Sequence, residues 1–115
     1  MCLSVFVCQA LPAQEITGPL QTGWKGKKVC EQLSENSHQR ILRCTFPPGT
    51  GHEKHKHNAN FGYAISGGKM QLTDETGTKT VELSTGSYFE SQGKKWHEVL
   101  NIGQTTVVYL IIESK

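Results

Sequence analysis

The chain has 115 residues, is 36% hydrophobic and carries a formal net charge of +2. That length suits one domain with a single hydrophobic core. Its lysines are dispersed and pair only at Lys27-Lys28 and Lys94-Lys95, so the dense basic stripe of a nucleic-acid surface is missing. No stretch approaches the roughly 20 apolar residues of a membrane-spanning helix.

Taken in chain order, residues 1–10 are apolar and lead into Leu11-Pro12-Ala13-Gln14-Glu15. They look like the end of a secretory h-region with a small-residue cleavage zone near Ala10 or Ala13, although the usual basic segment does not precede them. Residues 1–15 are therefore expected to be a truncated signal peptide or a flexible tail, and residues 16–115 a single domain. The protein is exported or periplasmic in the first case and cytoplasmic in the second.

Residues 11–37 are rich in turn formers, with one short strand expected around Lys28–Gln32. Gln39–Phe46 is the first clear strand, and Pro47-Pro48-Gly49 ends it because proline cannot donate to a ladder. Further strands are expected from His55–His57, over Phe61–Ser66, and over Lys69–Asp74 after Gly67-Gly68. Glu75-Thr76-Gly77 forms a hairpin loop. Thr80–Leu83, Ser87–Glu90, Trp96–Leu100 and Thr105–Ile112 complete the series. Short β-branched runs with turn signals every 8–12 residues or so predict a sandwich or barrel. No helix-period segment could supply the crossovers of a parallel sheet. A Gly-rich phosphate loop and a GxSxG elbow are also absent.

The four cysteines, Cys2, Cys8, Cys30 and Cys44, show no CxxC spacing and so no zinc-ribbon or thioredoxin-like pattern. Cys44 lies in an apolar run and reads as a small buried hydrophobe. A Cys30–Cys44 disulfide would require an oxidising compartment.

Three of the five histidines, His52, His55 and His57, fall within six residues. Strand side chains alternate faces, so His55 and His57 share one face about 6–7 Å apart while Lys56 points away. That is a chelating pair, and it would be a poor core because each buried imidazole needs hydrogen-bond partners. His97 lies on a later strand, where a barrel could bring it opposite the pair. Three neutral imidazoles suit Fe, Zn, Mn, Ni or Cu and leave positions open for water or substrate.

These residues resemble the two motifs of the cupins. The first, G-x5-HxH-x3-4-E-x6-G, is matched by Gly49, His55, His57 and Gly68, with Phe61 in the usual glutamate place. The second, G-x5-P-x-G-x2-H-x3-N, is matched by Gly86, His97 and Asn101, with Gln92 in the proline place and Gly93 one residue early. The resemblance spans Gly49 to Asn101. It implies an all-β, cupin-like double-stranded β-helix (jelly-roll) barrel with His55, His57 and His97 as metal ligands. Fe(II) is the expected ion, with Zn, Mn, Ni or Cu as alternatives.

The departure at Phe61 has consequences. Phe61 shares the parity of His57, so Phe61, Tyr63 and Ile65 are expected to point into the barrel, leaving Asn60 on the other face unless a bulge intervenes. His52 is the nearest spare nitrogen, as a fourth ligand, a hydrogen-bond donor to a ligand or a substrate contact. Without a carboxylate, three neutral ligands leave the ion its full charge, which attracts anions.

Glu90 is a candidate general base, with Tyr88 and Tyr63 as hydrogen-bonding neighbours if their faces turn inward. The alternative puts Glu90 at the rim and the aromatics in packing. Trp96 and Glu98 should face outward, Tyr109 should join the core, and Asn101 should fix a turn. The functions in view are an oxygenase acting on a small organic acid, a non-catalytic metal or small-ligand binding protein, and a metal-dependent isomerase, epimerase or lyase. Val108, Leu110 and Ile112, on the second face of the last strand, point to a homodimer.

Overall fold

The computed structural model describes residues 15–115. The leader-like segment, its cleavage zone and Cys2 and Cys8 lie outside them. Nine strands follow in order: β1 (Cys30–Glu35), β2 (Gln39–Phe46), β3 (Gly51–His57), β4 (Asn60–Ser66), β5 (Gly68–Asp74), β6 (Gly77–Leu83), β7 (Tyr88–Ser91), β8 (Lys94–Asn101) and β9 (Val107–Ser114). All pairings are antiparallel. They build a five-stranded sheet, β1-β2-β9-β4-β7, and a four-stranded sheet, β3-β8-β5-β6. This is the jelly-roll architecture that the resemblance implied, where the strand spacing alone predicted a sandwich or barrel.

The core lies between the sheets. β2 contributes Leu42, Cys44 and Phe46, and β9 contributes Val107, Tyr109 and Ile111, each on alternate positions as a strand with one buried face requires. Ala64 and Met70 fill in from β4 and β5. β3 begins four residues earlier than expected because Gly51 permits close strand packing: a Cβ there would lie 2.1 Å from the Val99 carbonyl oxygen.

β3 is an edge strand, and the segment before β1 covers its free edge. Lys56 N donates to Thr17 O and Glu53 N to Gly23 O, each at 2.9 Å. Covering the edge satisfies backbone groups that would otherwise invite another chain.

Phe61 does not point into the barrel. The chain passes from one sheet to the other at Asn58-Ala59, between β3 and β4, so strand alternation does not carry across. Gly62 and Ala64 are buried, whereas Tyr63 and Ile65 are 40% and 45% exposed. Phe61 stacks on Tyr88 with ring centroids 5.7 Å apart. Phe61, Tyr63, Ile65 and Tyr88 thus share the outer face of the larger sheet.

Cys44 is buried but is not a free thiol. Cys30 and Cys44 sit opposite each other in the β1–β2 register and form a disulfide. Closing a loop with a sequence separation of 14 restricts the unfolded chain and contributes about 3 kcal/mol. Replacing both cysteines by serine is therefore expected to lower unfolding free energy by about that amount in denaturant titrations. Unchanged stability would contradict this account.

Candidate metal centre

Two β-bulges bring the histidines together. In the β3–β8 pairing, His52 faces Val99 and His55 faces His97, three steps on one strand against two on the other. The register then shifts the opposite way between His55 and His57, which faces Lys94. Bulges re-aim side chains in this manner. The first turns His52 and His55 to the same interior, and the direct pairing of His55 with His97 places imidazoles from two strands side by side.

His55 Nε2 lies 3.0 Å from His57 Nε2 and 2.9 Å from His97 Nε2. The donor atoms of His55, His57 and His97 all fall within 4.8 Å of one another. On the far side of the rings, His55 Nδ1 donates to Glu53 O at 2.7 Å and His57 Nδ1 donates to Glu113 Oε2 at 2.8 Å. A neutral imidazole carries one proton. With that proton on Nδ1, each Nε2 turns a lone pair toward the other, an arrangement a shared cation would relieve. Two nitrogens about 3.0 Å apart also match ligands at right angles on an ion at about 2.1 Å. The donor set fits a divalent transition metal.

Burial disfavours the charged form of the His55 and His97 rings. Burial lowers the His97 pKa to about 3, helped by the nearby His57 and His52. His55, fully buried among the other three rings, is held further below its ordinary value.

His52 is placed beside this group and not in it. Its ring stacks on His55 with centroids 3.6 Å apart, its Nε2 donates to Thr22 O at 2.8 Å, and its Nδ1 faces Cys30 Sγ at 4.0 Å. Burial, offset in part by the Thr22 bond, lowers its pKa to about 4. His52 supports the His55 ring from behind.

The sequence reading missed Glu113. Its side chain is 1% exposed, hydrogen-bonded to His57 and paired with Arg40 Nη2 at 2.5 Å. Burial alone would raise its pKa, but the His57 and Arg40 contacts outweigh that and hold it below the ordinary carboxylate value. A charged residue at an inward position of β9, in phase with Val107, Tyr109 and Ile111, was the available signal.

A cavity of about 540 Å³ opens beside His57 and His97. Leu72, Val81, Leu83, Phe89 and Tyr109 give it apolar walls, while Asn60, Asp74, Lys79 and Lys94 add polar groups. Lys94 is paired with Asp74 at 3.1 Å. Asn60, expected on the other face, lines this cavity because of the break at Asn58-Ala59. Gly62 makes room for Phe89, since a Cβ there would meet the ring at 2.4 Å. Tyr109 belongs to the core as expected, packs edge-on against Phe89 and has its pKa pushed up to about 12 by burial.

Tyr63 and Tyr88 are not brought to the histidines; Tyr88 is 71% exposed on the outer sheet face. Glu90 faces Phe61 in the β4–β7 register and borders both the cavity and a surface hollow containing Phe61 and Ile112, a rim position. Trp96 lies under Lys54 Nζ, 4.2 Å from the ring centroid. Asn101 fixes its turn, donating to Phe46 O and Thr105 O and accepting from Gly103 N.

Fold and centre together define a small jelly-roll protein with a three-histidine site at the side of an internal cavity. The chain belongs to the cupin family: a Cupin domain model matches residues 42–113. It is similar in fold to a cupin domain from Bordetella pertussis Tohama I, with 21% identity, TM-score 0.71, and coverage of 90% of this chain and 99% of that one. An RmlC-like cupin family protein from Methanocaldococcus jannaschii matches at 18% identity and TM-score 0.63, covering 79% and 87%. A predicted oxalate decarboxylase from Thermotoga maritima matches at 20% identity and TM-score 0.56, covering 72% and 76%. No curated protein matches the sequence.

The depressed histidine pKa values set a pH dependence. In the unfolded chain these groups protonate near their ordinary value of 6.5, whereas the folded protein resists protonation to about 4 at His52 and about 3 at His97. Stability is therefore full above that ordinary value and falls as pH drops below it, by about 1.4 kcal/mol per pH unit for each histidine. The melting temperature of metal-free protein should decrease steadily between about pH 6.5 and about pH 4. A flat profile there would show that the rings are not held neutral.

Proposed function

We propose that this protein is a metal-dependent cupin enzyme, an oxygenase acting on a small organic acid through His55, His57 and His97. The observation that carries the reading is the convergence of the Nε2 atoms of three histidines beside a cavity of metabolite size. Iron(II) suits neutral imidazoles with open positions and, when bound, would supply the dioxygen chemistry.

The chain's own residues supply binding and exclusion. Three neutral ligands leave the ion's charge uncompensated in the inner layer, which draws an anionic group toward it. Lys79 adds positive charge to the wall while Lys94 is balanced by Asp74, and Leu72, Val81, Leu83 and Phe89 take up an apolar portion and displace water. The oxalate decarboxylase description of one structural neighbour accords with an organic-acid ligand. Isomerase or epimerase chemistry by proton transfer finds less support, because it requires a free base: Glu113 is committed to Arg40 and His57, and Glu90 stands at the rim. A lyase is the alternative reaction class, since the decarboxylase named for that neighbour is one. A non-catalytic binding protein is the second reading, favoured by the outward placement of Tyr63 and Tyr88.

Two further expectations accompany this reading. Phe61, Tyr63, Ile65, Tyr88 and Leu110 form an apolar outer face suited to a self-complementary twofold contact with a second copy. The Cys30–Cys44 bond supports export to an oxidising compartment.

Protein purified without an affinity tag should contain about one iron per chain and lose it on His57→Ala or His97→Ala substitution, measured by elemental analysis. Oxygen uptake should appear only when a substrate acid is added. Metal retained by both variants would refute the site, and ligand bound unchanged without oxygen uptake would favour the binding protein. Ile65→Glu should convert dimer to monomer in sedimentation runs; a wild-type monomer would refute the dimer.

A further inference from the structure

We infer that Arg40 and Glu113 act as a positioning pair that locks the His57 tautomer, keeping the Nε2 lone pair available to a metal ion. The inference rests on the three-histidine metal reading and extends it to two residues outside the cupin motifs.

The geometry is specific. Arg40 on β2 and Glu113 on β9 face each other in register. One carboxylate oxygen, Oε1, accepts from Arg40 Nη2, and the other, Oε2, accepts from His57 Nδ1. Among the described residues Glu113 is the only carboxylate paired with Arg40. A carboxylate is acceptor-only, and a guanidinium is donor-only. With one oxygen on Arg40, the other can only accept, so the His57 proton stays on Nδ1.

Two effects of Glu113 on a bound metal can be weighed. A bare carboxylate would push negative charge into the ring and strengthen its donation. Here Arg40 neutralises that charge, so control of the tautomer is the larger effect. The acceptor-only carboxylate of Glu113 sets the tautomer, and Arg40 fixes which way that carboxylate faces.

The pair makes an unusual prediction for glutamine. An amide offers one acceptor and one donor where Arg40 and His57 both donate. Arg40 cannot accept, so in Glu113→Gln the amide oxygen turns to Arg40 and the amide NH2 faces His57 Nδ1. That nitrogen must then accept, which moves the ring proton to Nε2 and blocks ligation. Removing the competing donor should reverse the loss: in Arg40→Met/Glu113→Gln the amide oxygen is free to turn to His57.

The test uses Co2+ as a visible probe and histidine side-chain 15N NMR on metal-free protein. Wild type should show His57 as the Nδ1–H tautomer, and Glu113→Gln as Nε2–H. Co2+ affinity should fall about 10–100-fold in Glu113→Gln and return to within a few-fold of wild type, about tenfold at most, in the double variant. Arg40→Met alone should keep the Nδ1–H tautomer. An Nε2–H ring in wild type overturns the inference without any variant having to fold. It is equally overturned by unchanged affinity in Glu113→Gln, or by a double variant that binds no better than the single one. If wild type takes up no Co2+, the metal reading fails while the nitrogen spectra still decide the lock.

Discussion

The nitrogens that face away from the centre govern those that face into it. His55 Nδ1 gives its proton to the Glu53 carbonyl and His57 Nδ1 gives its proton to Glu113. Each Nε2 is thereby left as a lone pair, and burial keeps a second proton off His55. The remaining architecture holds these acceptors in place. Glu53 keeps its position because its own N–H is tied to Gly23 in the strap along β3, and Glu113 because β9 runs between β2 and β4.

That arrangement relocates the carboxylate that many cupins place on the metal. The usual position holds Phe61, which turns outward and packs against Tyr88. A carboxylate nevertheless reaches the site, from the last strand and one layer further out, where Arg40 balances its charge. The centre therefore combines neutral inner ligands with a charged, internally compensated support. With a cation bound, such a site would keep the attraction for anions expected of three neutral ligands.

The cavity depends on two features of the smaller residues. Gly62 and Ala64 line the inner face of β4 and leave space for Phe89 and Tyr109, which meet edge to face across it. The break at Asn58-Ala59 sends Asn60 inward and the aromatic residues outward. One local irregularity thus decides both the polar lining beside His57 and the apolar outer surface of the larger sheet.

Much of this was legible along the chain. Gln39–Phe46 was read as a strand to the residue, the turn signals separated the later strands, and the HxH pair with His97 named all three converging histidines. Those features are local, because alternation and turn chemistry act within a few residues. What only the tertiary structure decided were relations between distant segments. Alternation does not survive a bulge or a change of sheet, so His52 stacks behind His55, Phe61 turns out and Asn60 turns in. Glu113 lies 56 residues from His57 and 73 from Arg40, and no period along the chain links them. The Cys30–Cys44 bond depends likewise on cross-strand register. The three converging histidines could be named from their spacing, whereas the residues that orient them were set by which strands became neighbours.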